Sequence, residues 1–235
     1  MRSFRKIFLL PLLTAICGLL LSCQGADRKR DRSQPGSGNL YLDYRVWGDE
    51  ESGLVTIRLQ FRDGGPEGDA LAVDETAEVL LDGEILETQS SRMNGSYYEA
   101  GRAIDGFAGR HQVVLKGWRG KDYLQEFEYP VFTLARDLPA EIAREELVLE
   151  LEGLTDGDNV KILMNDTAFY SRGIDRYDSV RDGRIVLTAA DLSRLRPGPV
   201  HLELIREEER PTREHPGGGG LLQLAYGLSR EAILR

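Results

Sequence analysis

The sequence predicts an all-β protein built from two tandem antiparallel β-sandwich domains, residues 40–135 and 146–235, joined by a linker at 136–145. Three observations carry this. Apolar residues alternate with polar ones at period two over most of the chain, the pattern of a sheet with one buried and one wet face. Turn dipeptides such as Asp82-Gly83, Asn94-Gly95 and Asp182-Gly183 recur between the alternating runs, as hairpins require. The alternation breaks between the two blocks at Ala135 to Glu145, which holds Pro139 and the acids Asp137, Glu141 and Glu145.

In order, Leu40, Leu42, Tyr44 and Val46 share one face of the first strand, and Val55, Ile57, Leu59 and Phe61 one face of the second. Asp63-Gly64-Gly65-Pro66 closes that hairpin arm. Ala77 to Leu81, Ser96 to Glu99, Gly109 to Leu115 and Tyr123 to Leu134 follow as strands. Pro130 has no N–H for a ladder, so the last of these belongs at an edge or carries a kink. The connector has room for one helical turn starting at Pro139. Beyond it, Leu147 to Leu151, Val160 to Met164, Ile185 to Leu187 and Val200 to Leu204 resume the alternation. Thr188-Ala189-Ala190-Asp191 has capping-box spacing ahead of Leu192 and Leu195 and predicts one or two helical turns. Glu207 to Gly220, polar and rich in Gly and Pro, reads as a mobile loop that proteases should cut first at Arg210 or Arg213. Leu221 to Leu234 reads as a final strand or hairpin bent at Gly227.

The two blocks share a weak internal repeat. Ala77–Gly83 resembles Asn159–Asn165, and Gly109–Leu115 resembles Gly198–Leu204. The Gly-x-x-x-Val/Leu-x-Leu strand after a short connector resembles a late strand of immunoglobulin-like domains. That resemblance is to a broad superfold and implies a sandwich, not an activity. The usual intersheet cysteine pair is missing.

Ahead of the first strand lies a different grammar. Arg2, Arg5 and Lys6 precede an uncharged apolar run from Ile7 to Leu21, closed by Ser22-Cys23. This is a secretory layout, too short for a spanning helix and interrupted by Pro11. Leu20-Leu21-Ser22-Cys23 resembles the lipobox of bacterial lipoproteins. The resemblance implies a signal peptide at 1–22, a diacylglycerol on Cys23, acylation of its amino group and anchoring in a membrane. Gln24, rather than Asp, implies the outer membrane in a diderm host, on either face. Three acyl chains, at about 0.8 kcal/mol per buried methylene, hold permanently. Residues 23–39 are then a lipidated, flexible tether. Asp27 to Arg32 within it carries four cations and two anions.

The chain has two cysteines, Cys17 and Cys23. On this reading one leaves with the signal and the other carries lipid, so no disulfide is expected, and a sandwich of this size needs none. Formal charge is −9, and losing Arg2, Arg5 and Lys6 with the signal takes it to −12. Nucleic acid is excluded as a partner, because phosphate neutralisation needs a basic face.

No pattern carries catalysis. His111, His201 and His215 lack ligand spacing, and no zinc site is expected. Asp156-Gly157-Asp158-Asn159 lacks the spaced carboxylates of a calcium loop. Gly217 to Gly220 lacks the Lys-Ser/Thr of a phosphate loop. Neither a cofactor nor a metal is implied. Trp47, Trp118 and Tyr97 are the candidate ligand-stacking residues. The expected function is a non-enzymatic envelope lipoprotein acting as a structural or protein-binding module. A glycan-binding accessory is the alternative if Trp47, Trp118 and Tyr97 share one exposed face. A hydrolase would need a cleft with converging polar groups.

Overall fold

The alternation at the first two strands folds as it reads. In a computed structural model, which describes residues 38–168 and 172–235, β1 (Leu40–Asp49) buries Leu40, Leu42, Tyr44 and Val46 and turns Arg45 and Trp47 outward. Its antiparallel neighbour β2 (Leu54–Asp63) buries Val55, Ile57, Leu59 and Phe61. The signal peptide at 1–22, the lipidation of Cys23 and nearly all of the tether lie outside the described residues.

The first block continues with β3 (Ala70–Leu71), β4 (Glu78–Leu81), β5 (Glu84–Ile85), β6 (Thr88–Ser91), β7 (Gly95–Ala103), β8 (Gly109–Trp118) and β9 (Lys121–Tyr129). The second block holds β10 (Thr133–Leu134), β11 (Glu141–Ile142), β12 (Leu147–Glu152), β13 (Asn159–Asp166), β14 (Ile174–Ser179), β15 (Arg184–Leu187), helix α1 (Ala189–Leu192), β16 (Gly198–Pro211) and β17 (Gly217–Leu234). The strand at 121–129 stops one residue before Pro130 and forms an edge of its sheet, where a missing N–H costs nothing. The connector contributes no helical turn at Pro139. It contributes β11, which pairs parallel with the end of β17.

The fold is the all-β sandwich expected, but its two blocks are not built as separate units. One large sheet runs β14-β13-β16-β17-β1-β2-β7-β6 through both of them, and residues 36–235 form one compact unit. The smaller sheets, β5-β4-β8-β9 and β10-β12-β15, contribute their apolar faces to the same core. The seam is β17 on β1. That pairing is parallel, from Leu40 opposite Gly217 to Asp49 opposite Gly227, so the sheet is mixed rather than purely antiparallel. The repeat survives in altered form. In each block the two repeated segments are antiparallel neighbours, β4 with β8 and β13 with β16, yet one pair sits in a small sheet and the other in the large one.

The segment 207–220 is not a mobile loop. β16 and β17 form a continuous hairpin from Gly198 opposite Leu234 to Pro211 opposite Leu221. Only 212–216 turn, and the turn is docked. Arg213 N–H donates to Gln125 Oε1 at 2.9 Å, Leu124 N–H donates to Glu214 Oε2 at 2.9 Å, and Leu40 N–H donates to the Pro216 carbonyl at 3.1 Å. Glu214 thereby caps an N–H of edge strand β9. Part of the polar composition that suggested solvent is engaged in hydrogen bonds to β1 and β9.

Tyr226 of β17 lies at the centre of the junction. Its ring meets Tyr129 and Phe132 edge-on at 6.3 and 5.3 Å, and all three are buried. The Tyr129 hydroxyl donates to the Ala225 carbonyl at 2.8 Å. Arg230 adds an ion pair to Glu50 and another to Asp137 at 2.5 Å. Burial, followed by the nearby Glu50 and Asp49 charges, pushes the Tyr226 hydroxyl up to about 12, so it stays neutral.

The capping box holds as its spacing predicts. Thr188 Oγ1 accepts from Asp191 N–H at 3.2 Å, and Asp191 accepts from Thr188 N–H at 3.0 Å. Asp191 also pairs with Arg176 at 2.7 Å. Burial works to raise its pKa, but hydrogen bonds from Arg176 and Thr188 outweigh it and hold the carboxyl below the ordinary range. A carboxyl depressed in the folded state stabilises at pH above its unfolded value of about 4, and that contribution is lost as pH falls through the lower folded value. Asp191→Ala is expected to cost about 2 kcal/mol at pH 7, combining loss of the reciprocal half of the capping box with loss of the shorter of two ion pairs of the half-buried Arg176, which keeps Asp178 at 3.1 Å. Urea midpoints measured from pH 7 to pH 3 should converge between variant and wild type. Parallel curves over that range would contradict the assignment.

Candidate functional site

The outward face of the first three sheet neighbours carries a polar shelf. Period two sends Asp43, Arg45 and Trp47 out from β1, Arg58, Gln60 and Arg62 out from β2, and Tyr97 and Glu99 out from β7. With Met93 and Asn94 from the β6–β7 turn, six of these side chains line a concavity of about 470 Å³. Arg58 is its keystone. The guanidinium carbon lies 4.9 Å from the Tyr97 ring and 5.6 Å from the Trp47 ring, and Nε donates to Glu99 Oε2 at 2.7 Å. Cation–π contact on two rings holds it flat.

The floor is tied by hydrogen bonds. Arg45 grips Asp43 with Nε at 2.9 Å and Nη2 at 3.0 Å, a two-pronged pair that leaves Asp43 buried. The Asp43 hydrogen bond, offset in part by desolvation, holds the Arg45 guanidinium more firmly protonated than usual. Gln60, also buried, donates to the carbonyls of Asn94 and Ser96 at 2.5 and 3.3 Å and accepts from Arg62 at 2.5 Å. The rim is open, with Trp47 39 % exposed and Met93 95 % exposed.

Of the three stacking residues expected, the fold brings Trp47 and Tyr97 together and separates Trp118 from them. Trp118 ends β8 in a small sheet and is 3 % exposed, so its ring is core and no ligand stacks on it. The reason is the Trp118–Lys121 turn: Arg119 takes a φ of 51° and Gly120 one of 76°, which reverses the chain and leaves the indole inside. The arginines of the shelf were missed in the sequence. Their signal was present as Arg45-x-Trp47 and Arg58-x-Gln60-x-Arg62 on the wet positions of adjacent strands, but register alone says that these positions are opposed.

The three histidines lie apart from one another. His111 stacks on Phe107 at 3.8 Å, with Nδ1 2.7 Å from Asp82 and Nε2 2.9 Å from the Phe107 carbonyl. His201 is exposed, and His215 Nδ1 accepts from Gly219 N–H within the docked turn. At Asp156–Asp158 the Asp158 carboxylate accepts from Thr155 N–H at 2.8 Å and from Arg206 at 3.0 Å, and serves the turn. Among the described residues no three potential metal ligands gather.

No family model matches the sequence, and no curated protein does. Solved structures overlap with it weakly. The chain is similar to Escherichia coli alpha-2-macroglobulin spanning domains MG0-NIE-MG1, at 12 % identity over 82 % of this chain and 74 % of that one, with a TM-score of 0.24. It is similar to Dpr11 IG1 bound to DIP-gamma, at 9 % identity over 80 % and 94 %, TM-score 0.23. The Yersinia pseudotuberculosis adhesin InvE follows at 10 % over 86 % and 62 %, TM-score 0.23. The sandwich assignment rests on the sheets of the chain itself.

Proposed function

We propose that this protein is a non-enzymatic binding module of the cell envelope, held to a membrane by lipid on Cys23 and presenting the Trp47–Arg58–Tyr97 shelf as its contact surface. The observation that supports it most is the shelf on two central strands: an exposed indole and three guanidiniums on a floor tied by hydrogen bonds. Preorganised polar groups around an aromatic are what a recognition surface needs. The lipobox supplies the anchor, with the outer membrane implied by Gln24, and the net negative charge of the body beyond the tether holds it off anionic headgroups.

Two measurements test this on the intact chain. Cys23→Ala is expected to yield soluble protein or unprocessed precursor in place of the lipid-anchored mature form, because lipid is the proposed hold. A photoreactive residue at Met93 in the membrane-bound protein is expected to give discrete adducts that the same residue at His201 does not. Membrane retention of a cleaved, unlipidated Cys23→Ala protein overturns the anchor. Identical adducts from both positions, or none from Met93, overturn the shelf.

A further inference from the structure

Arg45 and Arg58 face each other directly across β1 and β2, with Arg62 on the same side. Like charges in opposed positions destabilise a sheet. Asp43 and Glu99 offset this in part, so three cations stand over two anions on a chain whose net charge is −9. Each guanidinium carries five N–H donors and no acceptor. Among the described residues each makes two close hydrogen-bonding contacts: Arg45 both to Asp43, Arg58 both to Glu99, and Arg62 to Gln60 and the Gly68 carbonyl, with Arg62 Nε also 3.7 Å from Asp43. Among those residues most of the N–H groups remain unspent, and the carboxylates beside them are already engaged. The concavity therefore has a surplus of donors and of positive charge.

Two features decide what kind of anion fits. β1 and β2, which carry the three arginines, are both central in the sheet, so neither offers a backbone edge for a peptide strand to pair with. The floor is guanidinium, carboxylate and amide, with no dry apolar pocket in which a peptide side chain could anchor. A sugar needs neither. It offers a ring of hydroxyl acceptors and an apolar C–H face for an indole.

We propose that the shelf binds an acidic sugar, a pyranose bearing a carboxylate within an acidic polysaccharide. Its C–H face lies on the exposed part of Trp47, and its carboxylate takes the unspent N–H groups of Arg45. This rests on the binding-module reading and names the ligand class for the same site.

Calorimetry on the full chain in detergent tests it, with oligomers of galacturonate and of mannuronate as ligands, their methyl esters as neutral controls and hexaglutamate as an acidic peptide. At least one uronide is expected to bind, at least tenfold more tightly than its ester and than hexaglutamate, and more weakly as salt rises. Arg45→Gln and Trp47→Ala are each expected to lose tenfold or more, and Trp47→Phe to stay within about threefold of wild type, with thermal midpoints showing that each is folded. Equal binding of ester and acid, equal or tighter binding of hexaglutamate, unaffected variants, or no uronide binding at millimolar concentration each overturn the proposal. The wild-type comparison of acid with ester stands even where a variant does not fold. If adducts still form from Met93 while no uronide binds, the ligand class falls and the module reading survives. If both fail, both fall.

Discussion

Tyr226→Ala is expected to destabilise the protein by about 4 kcal/mol, in the range found for large aromatic truncations in cores. The side chain is 1 % exposed and its ring contacts Tyr129 and Phe132 edge-on, so truncation opens a cavity and removes two aromatic contacts at once. For a body of this size that corresponds to a fall in Tm of roughly 10 °C. Tyr226 sits on β17, which pairs with β16 of the second block and β1 of the first. The loss should therefore appear in one cooperative transition that moves as a whole. Calorimetric scanning reads this directly. Two transitions of which only one shifts would mean that the blocks unfold separately, and a loss below about 1 kcal/mol would mean that the junction is not packed as described.

Gly218→Ala is expected to cost about 3 kcal/mol, the upper end of ordinary overpacking. A Cβ there would lie 2.6 Å from the Leu40 carbonyl carbon and 2.7 Å from both Leu40 O and Tyr41 N. Those are backbone atoms of the neighbouring strand and have no rotamer to give. The seam itself would have to part. A matched control is Gly101→Ala on β7, where nothing lies within 4 Å of the added carbon and φ is unexceptional. It should be neutral or slightly stabilising, since alanine has less chain entropy to lose. Limited proteolysis gives a second reading. Wild type should resist trypsin at Arg213 because the turn is docked on β9, while Gly218→Ala should be cut there; Arg210 precedes Pro211 and is not a site in either protein. Rapid cleavage of wild type at Arg213 would contradict the docking, and equal effects of the two alanine substitutions would refute the close approach.

How much of this was legible follows from the range of each interaction. The inward residues of β1, β2, β13 and β16 could be read from alternation, because the pleat sends neighbours to opposite faces whatever the fold. The capping box at Thr188–Asp191 was legible for the same reason: all its partners lie within four residues. Tetraglycine 217–220 was misread, since composition cannot separate a flexible run from a strand too tightly packed for a Cβ. Gly218 is glycine because of Leu40, which is 178 positions earlier in the sequence. Trp118 was misplaced because exposure at a strand end depends on which way the following turn folds. The shelf was half legible: Trp47 and Tyr97 stood out as aromatics, but Arg58, which joins them, looked like one more charge on a wet face.

What the sequence by itself determined is therefore local: the strand periodicity, the turns, the helical cap, the absence of any catalytic or metal-binding pattern, and the signal-like start that ends in Cys23. The tertiary structure decided what sequence-distant residues do to one another. It laid β17 parallel on β1 and so merged two expected domains into one sheet. It docked the hairpin turn on β9, and it set Arg45 against Arg58 beside Trp47. Period two states which face a side chain takes, but only strand order and register state what stands opposite it, and both the seam and the shelf are made of opposites.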